Sequence, residues 1–443
     1  MHANLSRRDF IGGAATAGAG LCLGATAAAA AEKTTVSPPA TVGATTADRN
    51  VAWPISDARE EKALLDVLHS GKWGRTGGDR RVKEFEVAFA ARMGARYCVA
   101  TSSGTSALLT SLGALDVGPG DEVILPPYTF VATFNAITAN YALPVFVDSD
   151  AATFQIDATK IAAAITPATK VLLPVHIAGS TCELDAIAEI ARARNVTLLE
   201  DACQAPLAEW RGQPVGTKGI GGCFSFQASK NLTAGEGGAV LTNDEAFAHQ
   251  CYNFHTPLGG KPGPSVGRGA NFRLTEFQAA LLLAQYTRLE QQAKTRDANA
   301  AHLTSLLGKI PGIAPAKLAS GCTRSAWHLY MFRYDQQRFA GLTRAKFLQA
   351  LAKEGITASS GYTSLNNSPH VKALAANPHY QRLYGKAAMA QWVERNQCPV
   401  NDRLVEEAVW FTQTKLLTPR SEIERVAEVI MGIQKRAGDL ARA

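Results

Sequence analysis

The chain has 443 residues, 46% hydrophobic and 19% charged, which excludes a disordered protein and leaves room for more than one domain of ordinary size. Its 45 Lys and Arg exceed its 38 Asp and Glu by seven, but the basic residues form no stripe and are not interleaved with aromatics. A nucleic-acid surface is therefore not expected.

In chain order, the first element does not belong to a fold. Ser6-Arg7-Arg8-Asp9-Phe10-Ile11 is a twin-arginine export pattern, followed by a weakly hydrophobic stretch from Ile11 to Ala31 with small-residue cleavage sites near its end. Ala and Gly dominate that stretch rather than Leu and Ile, so no stable membrane span is expected. Leu21, before Cys22, is larger than the residue a lipoprotein signal wants. Residues 1–31 are thus read as an export signal, residues 32–50 as a flexible leader, and the mature protein as periplasmic or otherwise extracytoplasmic.

From about Val82 to Asp244 strand and helix signals alternate. Arg96–Thr101, Val123–Leu125, Val145–Val147, Val171–Val175, Val196–Leu199, Cys223–Phe226 and Ala239–Leu241 are short apolar runs. Asp157–Ile165 and Leu184–Arg194 have helical periodicity. Such alternation predicts an α/β layer with a mainly parallel sheet between helices. Thr275–Leu303 reads as a long connecting helix, Trp327–Tyr334 as a strand and Arg344–Lys353 as a helix stopped by Gly355. A capping box, Ser421-x-x-Glu424, is expected to open a last helix with Ile423, Val426, Ile430 and Ile433 on one face. The predicted division is a large domain over 51–305, with an N-terminal arm, and a smaller α+β domain over 306–443. None of the eight cysteines forms a C-x-x-C pair, which argues against zinc, and Cys98, Cys203 and Cys223, in or beside apolar runs, are expected in the core rather than in bridges.

Parallel sheets of this kind present ligands at the carboxyl ends of their strands. Gly104, Thr105 and Ser106 open a helix after the first strand, where backbone N–H groups and hydroxyls suit a phosphate. Phe130, in Pro126-Pro127-Tyr128-Thr129-Phe130, could stack on a flat heterocycle or pack in the core. Glu200-Asp201 follows a buried run, where charge needs a partner; Asp201 facing a pyridinium nitrogen would meet that need, and a helix cap is the alternative. Lys230 follows Ser225-Phe226-Gln227-Ala228-Ser229, and desolvation there would favour a neutral, nucleophilic amine.

Taken in one order, Gly104-Thr105-Ser106-Ala107-Leu108, the Pro-Pro-Tyr-Thr-Phe run, Pro174-Val175-His176, Glu200-Asp201-Ala202-Cys203-Gln204-Ala205, Lys230-Asn231-Leu232 with Gly235-Glu236-Gly237-Gly238, Asn271-Phe272-Arg273 and Trp327-His328-Leu329-Tyr330 resemble the DegT/DnrJ/StrS family of sugar and cyclitol aminotransferases. The resemblance runs from Trp53-Pro54 nearly to the C-terminus. It implies fold type I, with a seven-stranded, mainly parallel sheet, and pyridoxal 5′-phosphate as cofactor. It also implies that Lys230 carries the cofactor as an imine and shuttles a proton, that Asp201 pairs with the pyridine nitrogen, and that Gln204 lies near the ring hydroxyl. Ser225 and the Gly104-Thr105-Ser106 turn would bind phosphate, and Phe130 would stack on the ring. Asn271 would reach the phosphate of a partner subunit, which implies a homodimer. His176 would approach substrate, with a hydrogen-bonded core histidine as the alternative.

A lysine at 230, rather than the histidine of dehydrating relatives, favours amino transfer from L-glutamate or L-glutamine to a keto-sugar or keto-cyclitol. Export favours a free acceptor over a nucleotide-activated one. The residues around Lys230 are nearer the cyclitol and aminohydroxybenzoate branches, so a dehydrating or aromatising reaction is the alternative. A non-catalytic, cofactor-binding regulator is a third reading, and no DNA-binding module accompanies it.

Overall fold

The computed structural model describes residues 50–76, 80–256, 260–263 and 267–442. The export pattern, Cys22 and the leader before residue 50 lie outside them. The described chain opens with α1 (Ala58–Ser70), held by a capping box between Asp57 and Glu60, and α2 (Arg81–Arg92). There follow β1 (Tyr97–Thr101), α3 (Gly104–Ala114), β2 (Glu122–Leu125), α4 (Val131–Thr138), β3 (Leu143–Phe146), α5 (Ala158–Ala164), β4 (Thr169–Leu172), α6 (Leu184–Arg194) and β5 (Thr197–Asp201). A short antiparallel pair, β6 (Glu209–Trp210) and β7 (Gln213–Pro214), precedes β8 (Gly221–Ser225), β9 (Gly238–Thr242) and α7 (Glu245–His255).

The main sheet has seven strands in the order β1-β9-β8-β5-β4-β2-β3. β9 is antiparallel to both its neighbours, and the other pairings are parallel. Side chains alternate between its faces. Val99, Leu199, Cys223 and Val240 pack with Leu108, Leu112, Phe134 and Phe247 of α3, α4 and α7. Ala100, Phe224 and Leu241 pack with Phe85 and Phe89 of α2, and Leu172 and Leu198 with Ile161 and Ile187 of α5 and α6. Both faces are therefore covered, as a parallel sheet requires.

Beyond it, α8 (Glu276–Leu307) begins where the sequence places it, because Thr275 and Gln278 form a capping box, and runs four residues past Leu303. Then come β10 (Ile313–Pro315), β11 (Cys322–Arg324), β12 (Leu329–Tyr334), α9 (Arg344–Lys353), α10 (Pro369–Ala376), α11 (Pro378–Tyr384), α12 (Lys386–Arg395), α13 (Pro399–Glu407), β13 (Ala408–Thr412), α14 (Arg420–Lys435) and α15 (Ala437–Arg442). β12 is the centre of an antiparallel sheet, β10-β12-β13, while β11 joins β6 and β7.

Three expectations change. The capping box at Ser421 does not form: α14 starts at Arg420, with Pro419 at its cap position and its carbonyl taking the Glu422 N–H at 2.9 Å. Ser421 is already helical, and Glu424 turns outward to His302 at 3.1 Å. The apolar face is as expected, with Ile423, Val426, Ile430 and Ile433 all buried and each worth about 1.5–3 kcal/mol. Trp327 and His328 precede their strand, since Trp327 turns to φ 52°. Finally, Glu200 and Asp201 close β5 itself rather than following it. Helices α10 to α12, without counterpart in the sequence reading, cover the edge strand β3. There Asn396 Oδ1 accepts the Phe146 N–H at 2.6 Å, and Trp392 Nε1 donates to the Pro144 carbonyl. The cysteines from Cys98 to Cys398 are free thiols, four of them buried.

Candidate active site

Because Glu200 and Asp201 are neighbours in a strand, they point to opposite faces. Glu200 is fully buried among N–H donors: Gly216 at 2.8 Å, Lys218 at 2.7 Å and His176 Nε2 at 3.0 Å. Burial pushes its carboxyl up, but the His176 bond and charge, with the two backbone donors, outweigh it and hold Glu200 below its ordinary value. Asp201 faces the α4 side, where Oδ2 accepts from Thr133 Oγ at 2.8 Å and Oδ1 from the Cys203 N–H at 3.2 Å.

Asp201 forms the floor of a cavity of about 630 Å3 at the carboxyl ends of β1, β5 and β8. Gly104, Thr105, Phe130, Gln204, Ser225 and Lys230 also line it. At one end is the N-terminus of α3, capped by Ser103, whose hydroxyl accepts the Ser106 N–H at 3.0 Å. Ser106 does not line the cavity; its hydroxyl bonds Ser102 and Ser103 at 2.9 and 2.7 Å. Gly104 and Ser225 approach so closely that a Cβ at 104 would lie 2.6 Å from Ser225 Cβ and 3.0 Å from Cys203 Sγ. Gly104→Ala is therefore expected to weaken cofactor binding by about 1–3 kcal/mol, roughly 5- to 150-fold, read by fluorescence titration of the apoenzyme. An unchanged Kd would show that this cradle is not used.

Gln204 is spent at both ends: its Oε1 accepts the Ala178 N–H at 2.7 Å and its Nε2 donates to Tyr362 Oη at 2.9 Å. Burial, partly offset by that bond, pushes Tyr362 up to about 12, so it stays a neutral phenol. Phe130 caps the cavity mouth and is 57% exposed.

Lys230 lies opposite, and burial lowers its pKa against the raising influence of nearby Cys203 and Asp201. The amine is therefore available uncharged at a lower pH than a solvated lysine. Reconstitution of apoenzyme with pyridoxal phosphate is expected to speed up with pH and level off below the ordinary lysine value of 10.5. A rate still climbing through 10.5 would contradict the burial argument.

Besides Ser106, two further expected site residues are not brought to this cavity. His176 is fully buried, bonded to Glu200 and to the Cys182 N–H at 3.2 Å. Asn271 is exposed and does not line it. Conversely, Thr133, Tyr362 and Trp410 line the cavity without having been singled out, as do Glu236 and His328, known only as parts of motifs, and His328 stands 3.4 Å from the Lys230 amine. A larger hollow of about 730 Å3, between the ends of β12 and α13, is not comparable. Its Arg403 pairs with Glu407, and its Arg344 is spent on the carbonyls of Ser360 and Ala408.

The cavity fits the cofactor that the sequence suggests. A buried carboxylate is costly without a cation, and among the described residues no Lys, Arg or His lies within ion-pair distance of Asp201. A protonated pyridine nitrogen would supply that charge. The glycine cradle at a helix N-terminus suits a phosphate, and the desolvated lysine suits an aldehyde.

Comparison with known proteins shows the family of the chain. The model of the DegT/DnrJ/EryC1/StrS aminotransferase family matches residues 54–431. The chain is 36% identical over 394 residues to 3-amino-5-hydroxybenzoate synthase of Amycolatopsis mediterranei, covering 87% of this chain and 97% of that protein. It is 34% identical over 412 residues to L-glutamine:scyllo-inosose aminotransferase of Streptomyces griseus, covering 88% and 95%. The solved structure of a 3-amino-5-hydroxybenzoic acid synthase superposes with a TM-score of 0.76 at 34% identity, over 88% of this chain and all of that one. The DesI structure with its TDP-sugar product gives 0.73 at 27% identity, over 90% and 96%. A sheet of this order, with a desolvated lysine facing a carboxylate that lacks its cation, is thus the fold type I scaffold, and the chain belongs to the DegT/DnrJ/EryC1/StrS aminotransferase family as a pyridoxal-phosphate-dependent enzyme.

Proposed function

We propose that this enzyme moves an amino group from L-glutamine, or L-glutamate, to a keto-cyclitol or free keto-sugar. The observation that carries the reading is the desolvated Lys230 amine sharing a cavity with an Asp201 carboxylate that, among the described residues, has no Lys, Arg or His within ion-pair distance. The names of the cyclitol aminotransferases at 34% identity support the substrate class.

Pyridoxal phosphate, when bound, supplies an aldehyde for the migrating amine and a ring that accepts electrons from a substrate carbon. The chain's own residues do the rest. The α3 N-terminus with Gly104, Thr105 and Ser225 would bind the phosphate. Asp201 would keep a proton on the pyridine nitrogen, since a charged acceptor in a dry site favours the cationic form. Thr133 and the Cys203 amide hold that carboxylate in place. Phe130 would cover the ring, and Gln204, fixed by Ala178 and Tyr362, would lie by its hydroxyl. Lys230 Nζ takes a proton from the substrate carbon and returns it to the neighbouring position.

The exposed Asn271 on this reading serves the site of a second copy, so the enzyme works as a homodimer. The twin-arginine pattern supports action outside the cytoplasm. Among the described residues no helix is long and apolar enough to cross a membrane.

The test is the two half-reactions. L-glutamine or L-glutamate should bleach the visible band of the holoenzyme, and scyllo-inosose or another keto-cyclitol should restore it. Failure of both donors to bleach it would overturn the reading. The likeness to 3-amino-5-hydroxybenzoate synthase supports a second reading, dehydration and aromatisation of a keto-cyclitol ring. Loss of water from a keto-cyclitol without uptake of donor nitrogen would favour it.

A further inference from the structure

His328 lines the cavity and is 6% exposed. Its Nε2 lies 3.4 Å from Lys230 Nζ and its Nδ1 3.3 Å from Asn231 Oδ1. The Asn231 amide cannot be turned round without loss, because its Nδ2 donates to the Ala326 carbonyl at 2.6 Å, and a carbonyl only accepts. Its oxygen therefore faces the histidine, and an oxygen that only accepts calls for a proton on Nδ1. A neutral imidazole carries one N–H, so Nε2 is the bare nitrogen. That bare nitrogen is the one turned to Lys230.

The surroundings keep the ring in this form. Burial first, then the charges of Lys230 and of Arg296 on α8, push the His328 pKa well below its usual value. Its backbone is pinned by the Gln413 N–H, which donates to the His328 carbonyl at 3.0 Å. The residue before it, Trp327, sits at φ 52°, a left-handed conformation that bulky side chains rarely adopt. Its indole N–H donates to Asp297 Oδ1 at 2.8 Å, which helps to hold that turn. Strain of this kind persists where the surroundings over-determine a conformation, commonly beside a site.

We propose that His328 is a positioning residue for Lys230: its bare Nε2 accepts one N–H of the lysine whenever that amine is free of the cofactor, and so turns the nitrogen lone pair toward the substrate. A primary amine on a flexible stem otherwise samples several orientations, and the proton transfer needs one.

Two readouts test this, and only the second rests on the aminotransferase reading. In 15N-histidine-labelled enzyme, the resonance lost in His328→Gln should be that of a ring protonated at Nδ1 and bare at Nε2 near neutral pH. A proton on Nε2 would overturn the proposal whatever the activity. In single-turnover half-reactions with L-glutamine, His328→Leu should keep its borohydride-trapped cofactor but lose about 100-fold in maximal rate, the cost of a misaligned group, with little change in apparent KM. His328→Gln, which restores an acceptor, should recover most of that rate. Equal losses in the Leu and Gln variants, or a Leu variant within threefold of wild type, would overturn it. Should the Leu variant fail to fold, the tautomer and the Gln variant's rate decide, a Gln variant as slow as about 100-fold counting against the proposal. If wild type itself gives no half-reaction, the reaction assignment fails while the tautomer still reports on His328.

Discussion

Lys230→Ala should lower transamination by at least about 10⁴-fold, because one substitution removes both the nucleophile and the proton carrier. No other lysine lines the cavity among the described residues, so no neighbour stands ready to replace it. The variant should bind pyridoxal phosphate without covalent attachment: borohydride should leave no label on the protein, and dialysis should strip the cofactor. Stability should not suffer, since a buried amine contributes desolvation cost rather than packing. A variant that still traps cofactor covalently would mean that another lysine holds it.

Asp201→Asn should cost about 10³-fold in kcat, the equivalent of about 4 kcal/mol for removing one partner of a buried charge pair. The size of the effect comes from the geometry of the site. Both Asp201 oxygens already accept, from Thr133 and the Cys203 amide, so an asparagine either turns its NH2 to the Cys203 N–H, which cannot accept, or obliges the Thr133 hydroxyl to turn round and accept from it. A donor facing a donor costs about 1–3 kcal/mol, and the thermal midpoint should fall accordingly. Trapping by Lys230 should survive in this variant. A full-speed Asp201→Asn enzyme would show that the ring works unprotonated here.

What the sequence made legible has a physical pattern. Gly104, Phe130, Asp201, Gln204, Ser225 and Lys230 each stand at or just beyond the carboxyl end of an apolar run, and the sheet gathers those ends in one place. Local signals were enough for Gly104, Phe130, Asp201 and Lys230, while Gln204 and Ser225 were marked only by the family resemblance. Thr133, Tyr362, Trp410 and His328 reach the same cavity from a helix, an irregular loop and a second sheet, and nothing in their own neighbourhoods records that journey. His176 shows the converse. Its motif is local, but its side chain is claimed by Glu200 and Cys182, a burial set by the loop from Gly216 to Gly219 that packs there. Ser421 and Glu424 matched a cap pattern whose place Pro419 takes. The edge cover from α10 to α12 escaped notice because its segments are short, and the role of Asn396 on Phe146 exists only in three dimensions.

The end of β5 has a wider consequence. With Glu200 answered by its own set of donors on one face and Asp201 left for the ligand on the other, the strand acts as an electrical partition. Two like charges one residue apart are tolerated because each is answered in its own compartment. The two sides are therefore free to change independently: substitutions around His176 and Gly216 belong to the tuning of durability, and those around Thr133 and Tyr362 to the tuning of chemistry.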